Sequence, residues 1–191
     1  MEGTTKPHTY TQTDDEERPI SLPTELHGSP ESLYEDLERS FGEVPEAFRA
    51  MERRPDLLAA NWAKTKATLF AGKLPLTTKA LVGVVVSAVR GSTGTLAPFL
   101  RLLISRAEVE RSVLAAVMEN RLEDKALSDV ESAILTFARA AAADLRPSTE
   151  GLRAAGLDGD AIFEVVATID LATSLGAFTD GLGVEPELSS S

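Results

Sequence analysis

The chain of 191 residues contains no cysteine, and its two histidines, His8 and His27, both fall within the first 27 residues. Without thiols there is no disulfide framework, no thiolate metal site and no thiol redox couple. Without imidazole past position 27, the bulk of the chain lacks the usual general base and the commonest metal ligand. Two distant histidines make no convincing metal site, so the expectation is no metal and no cofactor. Aromatic residues are sparse at 5%, with one Trp and two Tyr. Long apolar runs are missing too: the uncharged run Ala80 to Val89 is about half of the roughly 20 residues a bilayer span needs. The start, Met-Glu-Gly-Thr-Thr-Lys-Pro-His, has no apolar stretch behind a basic head, so no signal peptide is expected. Positive charge is also short, with 19 Lys and Arg against 30 Asp and Glu, a formal net charge of −11. Such a chain repels phosphate backbones and anionic lipid, which argues against nucleic-acid and membrane partners. The absence of thiols fits a reducing cytoplasm.

What is there reads as a single helical domain. Hydrophobic residues make up 43% and charged residues 26%, close to the averages for soluble globular chains, and the length suits one packed core. Residues 1–28 are polar, carry Pro7, Pro19, Pro23 and the acidic run Asp14-Asp15-Glu16-Glu17, and show no helical periodicity; they read as an extended arm. The domain then runs over 29–185, with a short tail at 186–191.

Within it the punctuation is that of helix starts and stops. Ser29-Pro30 predicts a cap and first turn for a helix to about Arg39; Pro45 and Pro55 open two more, the latter running to Gly72 with Leu57, Leu58, Trp62, Thr65 and Leu69 at helical spacing. Thr77 reads as the cap of Lys79 to Val89. Ser105 with Glu108, and Ser128 with Glu131, have the spacing of capping boxes. Asp158 and Gly183 bracket a last long helix. Two runs rich in β-branched residues, Val82 to Val89 and Val165 to Ile169, compete as strands, but each sits in a long stretch without a turn signal, and no other run offers a sheet partner. The expected class is all-α.

The order of several short motifs resembles the alkylhydroperoxidase D and carboxymuconolactone decarboxylase-like family. The likeness is carried by Phe41-Gly-Glu-Val-Pro-Glu-Ala-Phe48, Pro55-Asp-Leu-Leu58, Ser87-Ala-Val-Arg-Gly91, Leu127-Ser-Asp-Val-Glu-Ser-Ala-Ile-Leu-Thr-Phe-Ala-Arg139, Leu152-Arg-Ala-Ala-Gly-Leu157 and Asp180-Gly-Leu-Gly-Val184. It spans about Tyr34 to Val184. The resemblance implies an oligomer-forming helical bundle and a Cys-x-x-Cys-x-x-x-His site. Aligned on Ser87-Ala-Val-Arg-Gly91, that site falls on Ser92, Thr95 and Phe99, the usual acidic residue one helix earlier falls on Ala80, and the Asn-Arg of the last helix falls on Gly176-Ala177. A serine hydroxyl without an adjacent base is a poor nucleophile near neutral pH, and phenyl exchanges no protons, so thiol peroxidase chemistry is not expected, and residual peroxidase activity is the least favoured of the functional readings.

The remaining candidates each carry two readings. Arg90-Gly-Ser-Thr-Gly-Thr95 is either a helix junction, with Gly91 and Gly94 permitting the turn and Thr93 or Thr95 capping the next helix, or an anion site at a helix start. Asp170, a charge in an apolar helix, is either a satisfied or partly exposed structural carboxylate or a pocket acid–base group with a raised pKa, with hydroxyls from Thr168, Thr173 and Ser174 and a cation from Arg90 or Lys79. Trp62 is either core packing or a ligand platform. The leading functional expectation is a non-redox protein that binds a small molecule or serves as a scaffold, as a homo-oligomer. The alternative is a cofactor-free lyase, decarboxylase, isomerase or cyclase acting on a small organic acid or lactone. That enzyme would use Asp170, Arg90 and Ser92 for chemistry, with Thr95, Phe99 and Trp62 around the substrate.

Overall fold

The computed structural model describes residues 30–107 and 109–184. The arm (1–28), the Ser29 cap, Glu108 of the first capping box, and the tail (186–191) lie outside the described residues. Among the described residues there are nine helices and no strand: α1 (Pro30–Phe41), α2 (Glu46–Arg49), α3 (Pro55–Leu69), α4 (Leu76–Arg90), α5 (Thr93–Ser105), α6 (Arg111–Met118), α7 (Asp129–Ala142), α8 (Glu150–Ala154) and α9 (Gly159–Leu182). Both β-branched runs are helical, one inside α4 and one inside α9. Their partners are other helices, so backbone hydrogen bonding closes within each segment.

The centre of the fold is α4. Every residue from Thr78 to Ser87 is buried, and α4 touches α3, α5, α6, α7 and α9. A helix that is apolar all round belongs in a core. The 24-residue α9 is also long and apolar enough to cross a bilayer by length and composition, with a mean hydropathy of 1.6. It packs against α2, α3, α4, α5 and α7, and half of its most apolar window is buried.

Local chemistry sets most of the ends. Ser128 accepts from the Glu131 N–H while Glu131 accepts from the Ser128 N–H, a complete capping box for α7. Asp158 accepts from the Ala161 N–H at 2.8 Å and starts α9. Gly91 (φ 69°) and Gly183 (φ 64°) close α4 and α9 in the left-handed conformation. Two expected caps are corrected. Pro75, not Thr77, occupies the cap position of α4, and Thr77 instead turns to the Ala107 carbonyl. Ser105 ends α5, bonding back to the Arg101 carbonyl, and α6 starts after Glu110. Arg106 donates to the Arg39 and Ser40 carbonyls, so a cation sits at the α1 C-terminus, where the helix dipole favours it.

The few aromatic residues are concentrated. Trp62 is surrounded by Phe41, Phe48 and Phe70 at centroid distances of 6.0 to 6.2 Å, with Phe48 and Phe70 edge-on. Its indole N–H donates to Asp36 at 2.8 Å, and the Lys66 ammonium, also on Asp36, lies 5.2 Å from the ring centroid. Trp62 is therefore core packing between α1, α2 and α3.

Candidate functional site

The α4–α5 junction carries Ser92, Thr95 and Phe99, the residues that the sequence resemblance singles out. Ser92, Thr95 and Phe99 follow one another along one side of α5, spaced three and four apart. All three are buried. The Ser92 hydroxyl does not cap α5; it donates to Asp180 Oδ1 at 2.9 Å. Thr95 Oγ1 lies 2.9 Å from Ser87 Oγ and donates to the Ser92 carbonyl at 3.3 Å. With Thr95 donating there, Ser87 donates to Thr95, and each hydroxyl proton has an acceptor inside the protein.

Small residues let the helices come this close. A Cβ on Gly176 would lie 2.9 Å from Ser92 Oγ, and one on Gly94 would lie 3.1 Å from Thr179. Thr179 is itself buried, with its hydroxyl turned to the Leu175 and Gly176 carbonyls. Phe99 leans on Gly83 of α4 so tightly that a Cβ there would lie 2.4 to 2.6 Å from three ring carbons.

Beside this junction runs a narrow cleft whose walls include Phe41, Phe48, Leu69, Thr95, Phe99 and Leu175. No ionisable side chain lines it. Its volume is about 20 Å³, room for roughly one water. The cleft is thus a thin crevice with hydrocarbon walls. Trp62 does not line it but stands directly behind two wall residues, Phe41 and Phe48.

The other residues expected to share a site are elsewhere. Asp170 is not buried in a pocket: its side chain is 65% exposed and pairs with Lys64 of α3 at 2.7 Å. Ten residues of helix separate it from Asp180, about 15 Å at the α-helical rise. Arg90 donates to the Ala142 carbonyl and lies 3.7 Å from Asp144, at the end of α7. Asp170, Arg90 and Ser92 therefore do not converge, because each took the nearest partner offered by a different neighbouring helix.

The buried charge that does exist is Lys79, fully enclosed in the first turn of α4. Its ammonium meets Glu164 Oε2 at 2.9 Å and the Ala71 carbonyl. Glu164 also accepts the backbone N–H groups of Lys73 (2.6 Å) and Leu74 (3.0 Å), and Gly72 (φ 95°) makes room, since a Cβ there would lie 2.5 Å from the carboxylate. Burial pushes the Glu164 carboxyl up, but the two N–H groups and the Lys79 cation outweigh it and hold it below its ordinary range. The sequence carried a signal for this pair: Lys79 is the lone charge from Leu76 to Val89, and Glu164 is the lone charge from Ala161 to Ile169. The Lys66 ammonium and then the Trp62 N–H lower the Asp36 carboxyl in the same way.

No family model matches the sequence, and no curated protein matches it either. Solved structures do match in fold. The debrominase Bmp8, solved in complex with 2,3,4-tribromopyrrole, superimposes with a TM-score of 0.75 at 20% identity over 87% of this chain and 90% of its own. The alkylhydroperoxidase AhpD core of a peroxidase-related protein from Ralstonia eutropha JMP134 gives 0.69 at 20% identity over 87% of each chain. A peroxidase-related protein from Silicibacter sp. TM1040 gives 0.72 at 18% identity, covering 97% of this chain and 96% of that one. The chain has the alkylhydroperoxidase-D-like helical fold, as the sequence motifs implied.

Proposed function

We propose that this chain is a non-redox protein that uses the alkylhydroperoxidase-D-like scaffold to bind a small, uncharged, apolar molecule in the cleft between α2, α3, α5 and α9. The observation that carries the reading is the cleft itself: it opens beside the aligned site residues, its walls are aromatic and aliphatic, and it has no ionisable lining. Burying an unpaired charge there would cost several kcal/mol, so an organic acid is a poor ligand. A protein of the same fold is seen with a small aromatic molecule bound, the tribromopyrrole complex of Bmp8, which supports the reading by analogy only. A cofactor-free lyase or isomerase is the weaker reading, because its acid–base set of Asp170, Arg90 and Ser92 is dispersed. The proposal includes a homo-oligomer in a reducing cytoplasm: the chain has no thiol to protect or use, and α9 turns Phe163 and Val166 outward.

Binding is testable through Trp62, the only tryptophan, two of whose ring neighbours, Phe41 and Phe48, are cleft walls. Titration with toluene should give a saturable change in its fluorescence. A purely linear response up to the solubility limit would overturn the binding proposal.

A further inference from the structure

We propose that the pocket between α1 and the end of α2 binds a small organic ammonium ion, with Glu38 and Glu52 as its counter-charges and the Tyr34 hydroxyl as a hydrogen-bond partner. The pocket is lined by Tyr34, Glu38, Val44, Arg49 and Glu52 and has a volume of about 360 Å³, against about 20 Å³ for the cleft beside Thr95 and Phe99. It shares no lining residue with that cleft, so the inference stands apart from the function proposed above. A short stretch of sequence builds it. Tyr34 and Glu38 lie four apart on one face of α1. Val44 precedes the Pro45 that starts α2, Arg49 ends α2, and Glu52 follows in the turn.

The charges point to a cation. The neighbouring acids Asp36, Glu43, Glu46 and Asp56 are paired with Lys66, Arg101, Arg49 and Arg54 in turn. Glu38 and Glu52 form no ion pair and no side-chain hydrogen bond among the described residues. Arg49, the one cation among the five lining residues, is already engaged: its Nε donates to the Val44 carbonyl at 3.2 Å and lies 3.2 Å from Glu46 Oε1. The wall therefore carries uncompensated negative charge. The Tyr34 oxygen adds an independent sign of a missing partner. It is buried and has no hydrogen bond among the described residues, whereas buried hydroxyls are nearly always bonded. Burial raises its pKa, the Glu52 charge raises it further, and Arg49 opposes them, so the hydroxyl end of the ring lies beside the charges that line the pocket. The oxygen is hidden from bulk water, and an N–H group reaches it as the Arg49 side chain, 54% exposed, moves aside. An ammonium group supplies N–H donors to both carboxylates and to this oxygen, while an anion would meet two like charges. A metal ion finds too few ligands, since no group of three His, Cys, Asp or Glu among the described residues could hold one.

The test is titration of the ¹⁵N,¹³C-labelled full chain at about pH 7 and low salt with n-butylamine, 1-butanol, butyrate and magnesium chloride. The amine, cationic at that pH, should give saturable shifts at Tyr34, Glu38, Arg49 and Glu52, and butyrate and magnesium should give none. The alcohol, which forgoes both ion pairs, should bind about tenfold more weakly. Glu38→Gln and Glu52→Gln should each weaken amine binding about two- to fivefold, the range of a solvent-exposed ion pair, and together about tenfold. Tyr34→Phe should also weaken it, yet leave the thermal midpoint of the free protein unchanged or raised, because it removes a buried hydroxyl that has no partner. Butanol, butyrate or magnesium binding at these residues as tightly as the amine would overturn the inference. So would undiminished amine binding by the Glu38→Gln, Glu52→Gln double variant, a lowered midpoint for Tyr34→Phe, or an amine that shifts none of the four residues. Toluene binding in the cleft is read at other residues, Leu69 and Leu175, so the two proposals fail separately.

Discussion

Neutralising Glu164 should cost this fold more than any comparable change at its surface. In Glu164→Gln the side chain keeps its length and one carbonyl oxygen, but the Lys79 ammonium, 1% exposed, loses its counter-charge and, where the NH₂ takes the Oε2 position, keeps only the Ala71 carbonyl. Breaking a buried ion pair by removing one partner costs about 3–5 kcal/mol. Lys73 and Leu74 both donate N–H groups to the carboxylate, and an amide NH₂ turned toward one of them adds about 1–3 kcal/mol for the unsatisfied donor. Glu164 retains 17% exposure, so water reaches part of the site and the lower end applies: a loss of about 3 kcal/mol, a large share of a typical 5–15 kcal/mol stability. Lys79→Met should cost less, because the remaining carboxylate keeps both backbone donors and its edge of solvent. The double variant should fall short of the sum by at least about 1 kcal/mol, the signature of direct coupling. Urea unfolding followed by Trp62 fluorescence measures all three as midpoint shifts at constant slope. A Glu164→Gln loss under 1 kcal/mol, additive with Lys79→Met, would refute the reasoning.

Other expectations follow from the same geometry. Placing thiols at the aligned positions, Ser92→Cys with Thr95→Cys, should not produce efficient peroxide reduction, since Ala80 and Phe99 offer no proton transfer and apolar burial raises a thiol's pKa; a dithiol-coupled hydroperoxide assay checks it, and turnover near that of an intact family member would contradict it. Asp36 and Glu164 both titrate below their ordinary values of 3.8 and 4.5 in the folded chain. The unfolded chain therefore takes up those protons first on acidification, so stability should be flat from about pH 8 to 5 and fall as the pH drops below about 4. Thermal melts across pH measure this, and Asp36→Asn should shallow the acid slope; stability rising below pH 4 would contradict it. Light scattering at micromolar concentration should give an oligomer, because Phe163 is 73% exposed and Val166 45% on the outer side of α9. Phe163→Asp should shift the protein toward monomer, and a monomeric wild type would contradict this prediction.

The fold was legible where the chemistry is local. The Ser128–Glu131 box, the Asp158 cap and the glycine stops at Gly91 and Gly183 need only neighbours within one turn, and each is found as the spacing implies. Thr77 and Ser105 had acceptable cap chemistry too, but Pro75 fixes the extended backbone before α4, and α5 carries Ser105 in its last turn. The site was legible only in part. Ser92, Thr95 and Phe99 are singled out by the sequence because they sit at fixed steps from Gly91. The apolar sequence neighbours of Asp170 leave both a partly exposed structural carboxylate and a pocket group open; the helix face it occupies is set by packing, and that face is open to solvent and meets Lys64. The contacts that shape the cleft join residues far apart: Phe99 on Gly83 across two helices, Ser92 on Asp180 across 88 positions. No periodicity within one helix encodes such pairs. Lys79 and Glu164 are the exception, two opposite lone charges in two apolar helices, which solvation energetics requires to be satisfied if both are buried.

The account's central claim is that the cleft beside Thr95 and Phe99 receives a small, uncharged, apolar molecule. Its most direct test is an amide and methyl chemical-shift map of the ¹⁵N,¹³C-labelled full chain during titration with toluene. The account predicts saturable shifts at Leu69, Thr95, Phe99 and Leu175 and at the Trp62 indole N–H, with none at Lys64 or Asp170. Shifts confined to the Lys64–Asp170 surface, or no saturable shift anywhere, would contradict it.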